Sequence, residues 1–309
     1  MEETTRFAAS AFAMMAIFGA GPAAAELTPR AQDVGPYGVS TDGWGAIGFA
    51  SAGARGEIRA KAPPGSTVIS AFLHTATQGV ALKPETVRLE GVAVEYAQSA
   101  PNTSTGGSLA TSRADVAEIV ATEIEAGSSE IHSFTIDEGR DGALRSGSDA
   151  IDGHALVALY DHPSLPVRSV AVLDGFLSSR GDKAAIAFDA PLATGAPGSF
   201  AETALGISFS TARQKSNVHV NGSLLTSFAG NCDDGVSDAN GCLIAVGGLD
   251  DPLSPLNPSC EQDKERYNIA PLLGEGASEI VVEVNSPSNH HNIFLATFIV
   301  SADATVTNP

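Results

Sequence analysis

The residue types best suited to bind a metal in this sequence cluster in one short acidic segment, residues 231–242 (NCDDGVSDANGC). Calcium takes about six to eight oxygen ligands, and short acidic loops with glycine turns supply them. The spacing is not that of an EF-hand, because Val236 takes the first ligand position and no Glu stands at the twelfth. A solvated loop, in which Asp, Asn and Gly simply form turns, fits the same composition. The candidate calcium ligands are Asp233, Asp234, Asp238 and Asn240.

The three cysteines, Cys232, Cys242 and Cys260, lie close together in the sequence. Three cysteines allow one disulfide and leave one thiol. We favour a Cys232–Cys242 disulfide, which would close the acidic loop and stabilise the fold by about 2.5–3 kcal/mol in the chain-entropy model. The alternatives are a disulfide that includes Cys260 and three free thiols, and the spacing of the cysteines does not decide between them.

Sequence motifs for catalysis are missing. There is no H-E-x-x-H motif, no Walker glycine loop and no G-x-G-x-x-G between a strand and a helix. Residues 206–210 (GISFS) approach a serine nucleophile elbow but lack its last glycine, and their pattern is typical of a strand. His154 and His162 would lie about 26 Å apart on an extended strand, too far to share a metal. The pair His290 and His291 is typical of a hairpin tip. We therefore expect no enzymatic activity and no catalytic residues.

The charge of the chain excludes one class of partner. Against 36 Asp and Glu the chain has 17 Lys and Arg, a formal net charge of −19. Nucleic-acid binding through the phosphate backbone requires the opposite sign. An acidic chain with 32 Gly and 17 Pro is typical of an extracellular β protein.

The N-terminus has the pattern of an export signal. An apolar run at residues 7–20 is followed by an A-x-A cleavage site at residues 23–25, which predicts a signal peptide over residues 1–25. Glu2 and Glu3 beside Arg6 are atypical of such a signal, and the alternative is an uncleaved apolar helix. Later apolar runs are too short to span a bilayer, so we expect no membrane span in the mature chain. The protein is then secreted, to the cell surface, the medium or the periplasm.

Short apolar runs between turn residues predict an all-β fold, an antiparallel and jelly-roll-like β-sandwich. We expect an extended Gly-rich lead at residues 26–64, one sandwich domain at 65–303 and a tail at 304–309. The predicted strands are 67–75, 86–89, 92–96, 133–136, 155–160, 169–173, 183–188, 204–210, 217–220, 243–246, 279–284 and 292–300.

The central segment carries the most detailed prediction. Residues 155–160 are apolar at nearly every position and predict a strand buried on both faces. Residues 169–173 predict its antiparallel neighbour, since Pro163 and Pro166 keep the connection 161–168 out of the ladder. Gly175 is expected to turn the chain with a positive φ.

Two segments predict short helices that cap the sandwich edges. Residues 112–115 (SRAD) resemble a capping box, and the apolar residues Val116, Ile119, Val120 and Ile124 after them share one helical face. Residues 268–273 (NIAPLL) predict a second helix of a single turn, which ends at Gly274.

Several segments in this order resemble an uncharacterised domain at the N-terminal end of many bacterial secreted and cell-surface proteins. They are AFLHTATQG and ETVRLEGVAV, then RADVAEIVA, and above all the core GHALVALYDHPSLPVRSVAVLDGF. The resemblance spans about residues 65–303. It implies a surface location and an adhesin-like architecture rather than a reaction.

These observations favour a secreted, non-enzymatic, adhesin-like or structural surface protein. Its partner would be a cell-surface or matrix component, with a glycan as one option. A carbohydrate-binding module is the alternative, although Trp44 is the single tryptophan that could stack on a sugar. A secreted hydrolase with an unrecognised site is the second alternative.

Overall fold

A computed structural model describes most of the chain after the predicted signal peptide. The described residues are 27–45, 55–78, 84–102, 109–139, 150–175, 182–188, 191–195, 197–208, 216–230, 244–259, 262–285, 292–301 and 304–305.

The described residues fold almost entirely as antiparallel strands, as the alternation of apolar runs and turns predicts. In chain order the strands are β1 (Thr28–Gly35), β2 (Tyr37–Gly45), β3 (Arg55–Lys61), β4 (Thr67–Gln78), β5 (Arg88–Leu89), β6 (Val92–Ala93), β7 (Tyr96–Pro101), β8 (Leu109–Asp115), β9 (Ile131–Asp137), β10 (Ala150–Asp161), β11 (Arg168–Asp174), β12 (Asp182–Phe188), β13 (Ala201–Ser208), β14 (Ser216–Val220), β15 (Ser223–Ala229), β16 (Ile244–Val246), β17 (Arg266–Asn268), β18 (Glu279–Asn285), β19 (Ile293–Val300) and β20 (Ala304–Thr305).

These strands form four sheets. Sheet I has the order β3-β9-β5-β6, and sheet II has the order β2-β10-β4-β8-β7. Sheet III has the order β1-β11-β19-β13-β16, with β17 also paired to β13, and sheet IV has the order β15-β14-β18-β12-β20. The all-β sandwich prediction is confirmed. The segment 26–64 is expected to be a lead before the sandwich, but its strands β1, β2 and β3 belong to three of these sheets.

Three apolar clusters hold the sheets together as successive layers. Phe134 of sheet I packs with Leu156 of sheet II, and Val157 of sheet II packs with Val172 of sheet III. Phe298 of sheet III packs with Ile280 of sheet IV. Because successive residues of a strand point to opposite faces, β10 fills two clusters at once. This explains why residues 155–160 carry no polar face.

The predicted pairing of β10 with β11 is wrong. β10 pairs with β2 and β4 in sheet II, whereas β11 pairs with β1 and β19 in sheet III. The two strands face each other across the cluster that contains Val157 and Val172. Pro163 and Pro166 lie in a connection that carries the chain from one sheet to the next, a step of about 10 Å that a tight hairpin cannot make. Gly175 does adopt the expected positive φ, 142°.

His162 lies in this connection and ties it to a second turn. Its Nδ1 accepts from Ser164 N (3.2 Å) and Ser164 Oγ (2.7 Å), so Nε2 is left to donate to Pro64 O (3.2 Å). Substitution of a surface residue that makes no such bonds changes the free energy of unfolding by less than about 0.5 kcal/mol. With them we expect His162→Ala to lower the free energy of unfolding by about 1 kcal/mol, the usual net value of a hydrogen bond. Urea denaturation measures this loss, and an unchanged midpoint would show that the bonds contribute nothing.

The two short helical segments lie where they are predicted. α1 (Ala117–Ala126) buries Val120 and Ile124 against sheet II, and a 3₁₀ turn forms at Ala270–Leu272. The predicted capping box is wrong, because Ser112 is a residue of β8 and its side chain is not at the helix start. Asp115 Oδ1 instead accepts from Ala117 N at 2.9 Å. Within the described residues, no helix is long and apolar enough to cross a membrane.

The outer edge of sheet I is covered by side chains of sheet II. β3 is an edge strand of sheet I, and it runs beside β2, an edge strand of sheet II. Arg59 N donates to Asp42 Oδ2 (2.6 Å), and Lys61 N donates to Ser40 Oγ (2.8 Å). These backbone groups of an edge strand are thereby satisfied without a neighbouring strand.

Candidate functional site

A cleft of about 350 Å³ opens between β2 of sheet II and the strands of sheet III. We call it the inter-sheet cleft. Its walls come from distant parts of the chain, because β2 supplies residues 38–41 and sheet III supplies β11, β13, β17 and β19. The charged and aromatic residues that line it are Lys61, Tyr160, Arg168, Phe200, Glu202 and Arg266.

Arg168 is the side chain of this cleft that most clearly lacks a partner. Its guanidinium carbon lies 4.8 Å from the centre of the Phe200 ring, a cation–π distance. Arg168 Nε is buried with no hydrogen-bond partner, and no acidic side chain of the described residues forms an ion pair with Arg168. Burial lowers the pKa of Arg168, against the opposing effect of Tyr160 and Glu202. A half-buried cation in this state favours an anion from outside the chain.

Arg266 lies in sheet III, as Arg168 does, and its guanidinium is fully engaged. Its Nε donates to Glu202 Oε1 (2.7 Å), its Nη2 donates to Glu202 Oε2 (3.3 Å), and its Nη1 donates to Asp251 O (3.1 Å). This two-point pairing fixes the plane of the guanidinium. Glu202 is thereby engaged and does not neutralise Arg168. Its carboxylate oxygens remain acceptors for a ligand hydroxyl.

The charge balance of the cleft is opposite to that of the chain. Lys61, Arg168 and Arg266 outnumber Glu202, in a protein whose formal net charge is −19. Ser40, Thr41 and Tyr160, which carry hydroxyl groups, also line the cleft. A wall of cations and hydroxyls can bind a carboxylate, sulfate or phosphate group that sits beside ligand hydroxyls.

An acidic cluster borders the cleft at Gly248. A Cβ built on Gly248 would lie 2.9 Å from Asp42 Oδ1 and 3.0 Å from Asp250 Oδ1, so the two carboxyls approach each other over this glycine. Burial, with a smaller contribution from Asp250, raises the pKa of Asp42 to about 8 against the opposing Arg59. Burial also raises the pKa of Asp251 to about 6. Asp42 is therefore largely protonated at neutral pH, which reduces its repulsion with Asp250.

A hydroxyl, an imidazole and a carboxylate form a buried chain between sheets I and II. Thr75 Oγ1 lies 2.8 Å from His154 Nδ1, and His154 Nε2 lies 3.3 Å from Glu138 Oε1. This is the order that activates a nucleophile in hydrolases. All three side chains are completely buried, so in this structure a substrate does not reach Thr75. Trp44 stacks on His154 with ring centroids 5.9 Å apart, which places its ring against the interior rather than on an open sugar-binding face.

Two carboxyl groups are buried beside Gly230, the residue before the predicted calcium loop. Tyr267 Oη lies within hydrogen-bonding distance of Asp263 Oδ1 and of Glu265 Oε2 (3.0 Å), and Gly230 N donates to Glu265 Oε1 (2.6 Å). Burial raises the pKa of Asp263 and raises that of Glu265 well above its usual range. Burial thus favours the protonated form of both carboxyls, more strongly for Glu265.

The predicted calcium loop and disulfide lie outside the described residues. Residues 231–243 and 260–261 contain Cys232, Cys242, Cys260 and the four candidate calcium ligands, and residues 286–291 contain His290 and His291. These predictions stay open. Ser208 ends β13 and is buried, in agreement with an ordinary strand at residues 206–208.

Sequence reasoning missed the inter-sheet cleft. Arg168 belongs to the segment that carries the family resemblance, and it directly follows the two-proline connection. Yet Phe200, on which its guanidinium lies, and Arg266 of the same cleft are far from it in the sequence. The signal that could have been noticed is a cation at the start of an apolar strand in a chain with few cations.

Comparisons with known proteins do not identify the chain. No family model matches it, and no curated protein matches it. Among solved structures, it is similar to the major capsid protein P2 from bacteriophage PM2, with 12% identity and a TM-score of 0.20 over 87% of this chain and 98% of that chain. A likeness at that TM-score carries no argument about fold or function.

Proposed function

We propose that this chain is a secreted, non-enzymatic, adhesin-like surface protein that binds an acidic glycan in the inter-sheet cleft. The observation that carries the proposal is Arg168, half-buried, stacked on Phe200 and without an ion-pair partner among the described residues. Burying a charge without a counterion is costly, so a bound anion would relieve this cost.

The neighbours of Arg168 favour an acidic sugar over a simple ion. The Arg266–Glu202 pair presents donors and acceptors side by side, which is what vicinal hydroxyls of a sugar require. Ser40, Thr41 and Tyr160 add further polar residues to the lining of the cleft. An anionic group on Arg168 with sugar hydroxyls on the Arg266–Glu202 pair would use both features. The N-terminal export signal and the resemblance to surface proteins support the location.

The proposal is tested by measuring the binding of the wild type and of the Arg168→Gln variant to an array of glycans. We expect uronate-containing or sulfated oligosaccharides to bind, and their neutral counterparts to bind far less. Arg168→Gln should weaken binding about tenfold or more, because a hydrogen bond to a charged group contributes about 1.5–3 kcal/mol. Its melting temperature should stay close to that of the wild type, since the lost charge is unpaired.

Arg88→Gln is the matched control. Arg88 is an exposed cation in β5, and its Nη1 donates to Gly91 O within its own hairpin (2.9 Å). This variant loses the same charge far from the cleft and should keep full binding. Equal binding by Arg168→Gln, or an array without any acidic glycan bound, would contradict the proposal and favour a structural surface role.

A further inference from the structure

The side chains of Asp42, Arg59 and Asp250 meet where sheets I, II and III come together. Asp42 belongs to β2 of sheet II, and Arg59 belongs to β3 of sheet I. Asp250 lies in residues 248–251, which follow β16 of sheet III and which we call the 248–251 turn. Arg59 Nη2 donates to Asp250 Oδ2, and Arg59 Nε lies 3.7 Å from Asp42 Oδ2. These side chains hold the turn to the edge strands of two other sheets.

One carboxyl oxygen of Asp42 has no donor to satisfy it. The side chain is only 2% exposed, and its Oδ2 accepts from Arg59 N (2.6 Å). Its Oδ1 is buried, and no group of the described residues donates to it. This oxygen faces Asp250 Oδ1 over Gly248, where a Cβ would lie 2.9 Å from the first oxygen and 3.0 Å from the second. Two ionised carboxylates only accept, so a single proton between them supplies the hydrogen bond that Asp42 Oδ1 lacks.

The charges around Asp42 favour a shared proton over a bound metal ion. Arg59 already binds Asp250 and lies beside Asp42, so a metal ion here would meet its positive charge. Burial and, to a smaller extent, Asp250 raise the pKa of Asp42, and Arg59 opposes them. The further charged groups of this region are Glu57, Asp251, Lys264 and Arg266.

We propose that the proton shared by Asp42 and Asp250 is a pH-sensitive latch, which holds the 248–251 turn against the edge strands β2 and β3. While the proton is present, a hydrogen bond joins the two carboxyl groups and the turn is closed. When it is lost, two negative charges face each other, and the turn opens because Asp250 is half-exposed and can move into water. The latch does not depend on the function proposed for the inter-sheet cleft.

The pH range of the latch follows from the buried carboxyl of Asp42. Burial raises its pKa to about 8 in the folded protein, from about 4 in the unfolded chain. The raised pKa contributes stability that is fully present below about pH 4 and is lost as the pH rises through about 8. Asparagine resembles the protonated carboxyl, since its amide can donate to Asp250 while its oxygen accepts from Arg59 N. Asp42→Asn should therefore match the wild type near pH 4 and melt at an increasingly higher temperature than the wild type up to about pH 8.

Thermal melts of the full chain from pH 4 to 9, together with limited proteolysis, test the latch. Chymotrypsin can cleave after Leu249 within the 248–251 turn, and cleavage there reports the opening of the turn. At pH 9 we expect this cleavage to be severalfold faster in the wild type than in Asp42→Asn, because about a tenth of the wild type keeps the proton one unit above its pKa. At pH 7 the two rates should be similar. Both proteins are compared at the same pH, so the pH dependence of the protease cancels.

Two further variants make the test specific. Asp33→Asn removes an exposed carboxylate of β1 and should behave as the wild type in both measurements. Asp250→Asn can donate its amide to an ionised Asp42, so its turn should stay closed at pH 9. Equal cleavage of the wild type, Asp42→Asn and Asp250→Asn at pH 9 would overturn the latch. A melting temperature raised by millimolar calcium at pH 9 in the wild type but not in Asp42→Asn would also overturn it, since the carboxyls would then bind a cation.

Discussion

Leu156→Asp should leave the protein unable to fold. Leu156 is completely buried in the cluster between sheets I and II, at the middle of β10, which has paired strands on both sides. An aspartate there has no partner for its carboxylate, a cost of several kcal/mol against a total stability of about 5–15 kcal/mol. Circular dichroism should show loss of the sheet signal, and size-exclusion chromatography should show loss of the peak of the compact folded protein.

Val167→Asp is the control for this substitution. Val167 lies just before β11 and is 58% exposed, so an aspartate there stays in water. We expect its free energy of unfolding to change by less than about 0.5 kcal/mol. A Leu156→Asp protein that melts cooperatively near the wild-type temperature would contradict the layered arrangement in which β10 is buried on both faces.

The second large effect is expected at Asp174. Asp174→Asn removes the charge that holds Arg30, Arg113 and His74 together. The side chain of Asp174 is buried, with only 7% of its surface exposed. Breaking a buried ion pair from one side costs about 3–5 kcal/mol. Because the arginines are partly exposed, we expect a loss of about 3 kcal/mol in urea denaturation. Asp33→Asn, an exposed position on β1, should lose almost nothing.

The pH dependence of the Asp174 effect has a definite sign. The pKa of Asp174 is lowered in the folded state to about 2, from an unfolded value of about 4. Its contribution is therefore fully present above about pH 4 and is lost as the pH falls toward 2. The difference in stability between wild type and Asp174→Asn should be constant from pH 5 to 7 and shrink below pH 4. A difference that grows at acid pH would contradict an ionised Asp174.

Local patterns predict the elements of this fold better than their partners. Val120 and Ile124 mark the buried face of α1 through their spacing alone, and Glu90 and Gly91 form a hairpin turn with φ values of 50° and 75°. By contrast, the unbroken apolar run of β10 says that both faces of this strand are buried, but not which strands pair with it or with β11. Their true neighbours include β2 and β19, which are distant in sequence, and no spacing rule links them.

The candidate sites were harder to predict for the same reason. Arg168 becomes notable only when Phe200 lies beneath it and Glu202 is already bound to Arg266. These contacts join strands that are far apart in the chain. The acidic loop, in contrast, is recognisable locally because calcium ligands are often supplied by one short segment.

The side chains of Ser40 and Asp42 have a consequence for how copies of this protein can meet. Polymerisation through sheet edges requires a row of vacant N–H and C=O groups onto which a strand of another molecule can add. On β3 the N–H groups of Arg59 and Lys61 are already bound by these two side chains. A second molecule that added a strand there would have to displace both. At high concentration, neighbouring molecules would then meet through side chains at this edge, and the protein would resist growth into fibrils from this point.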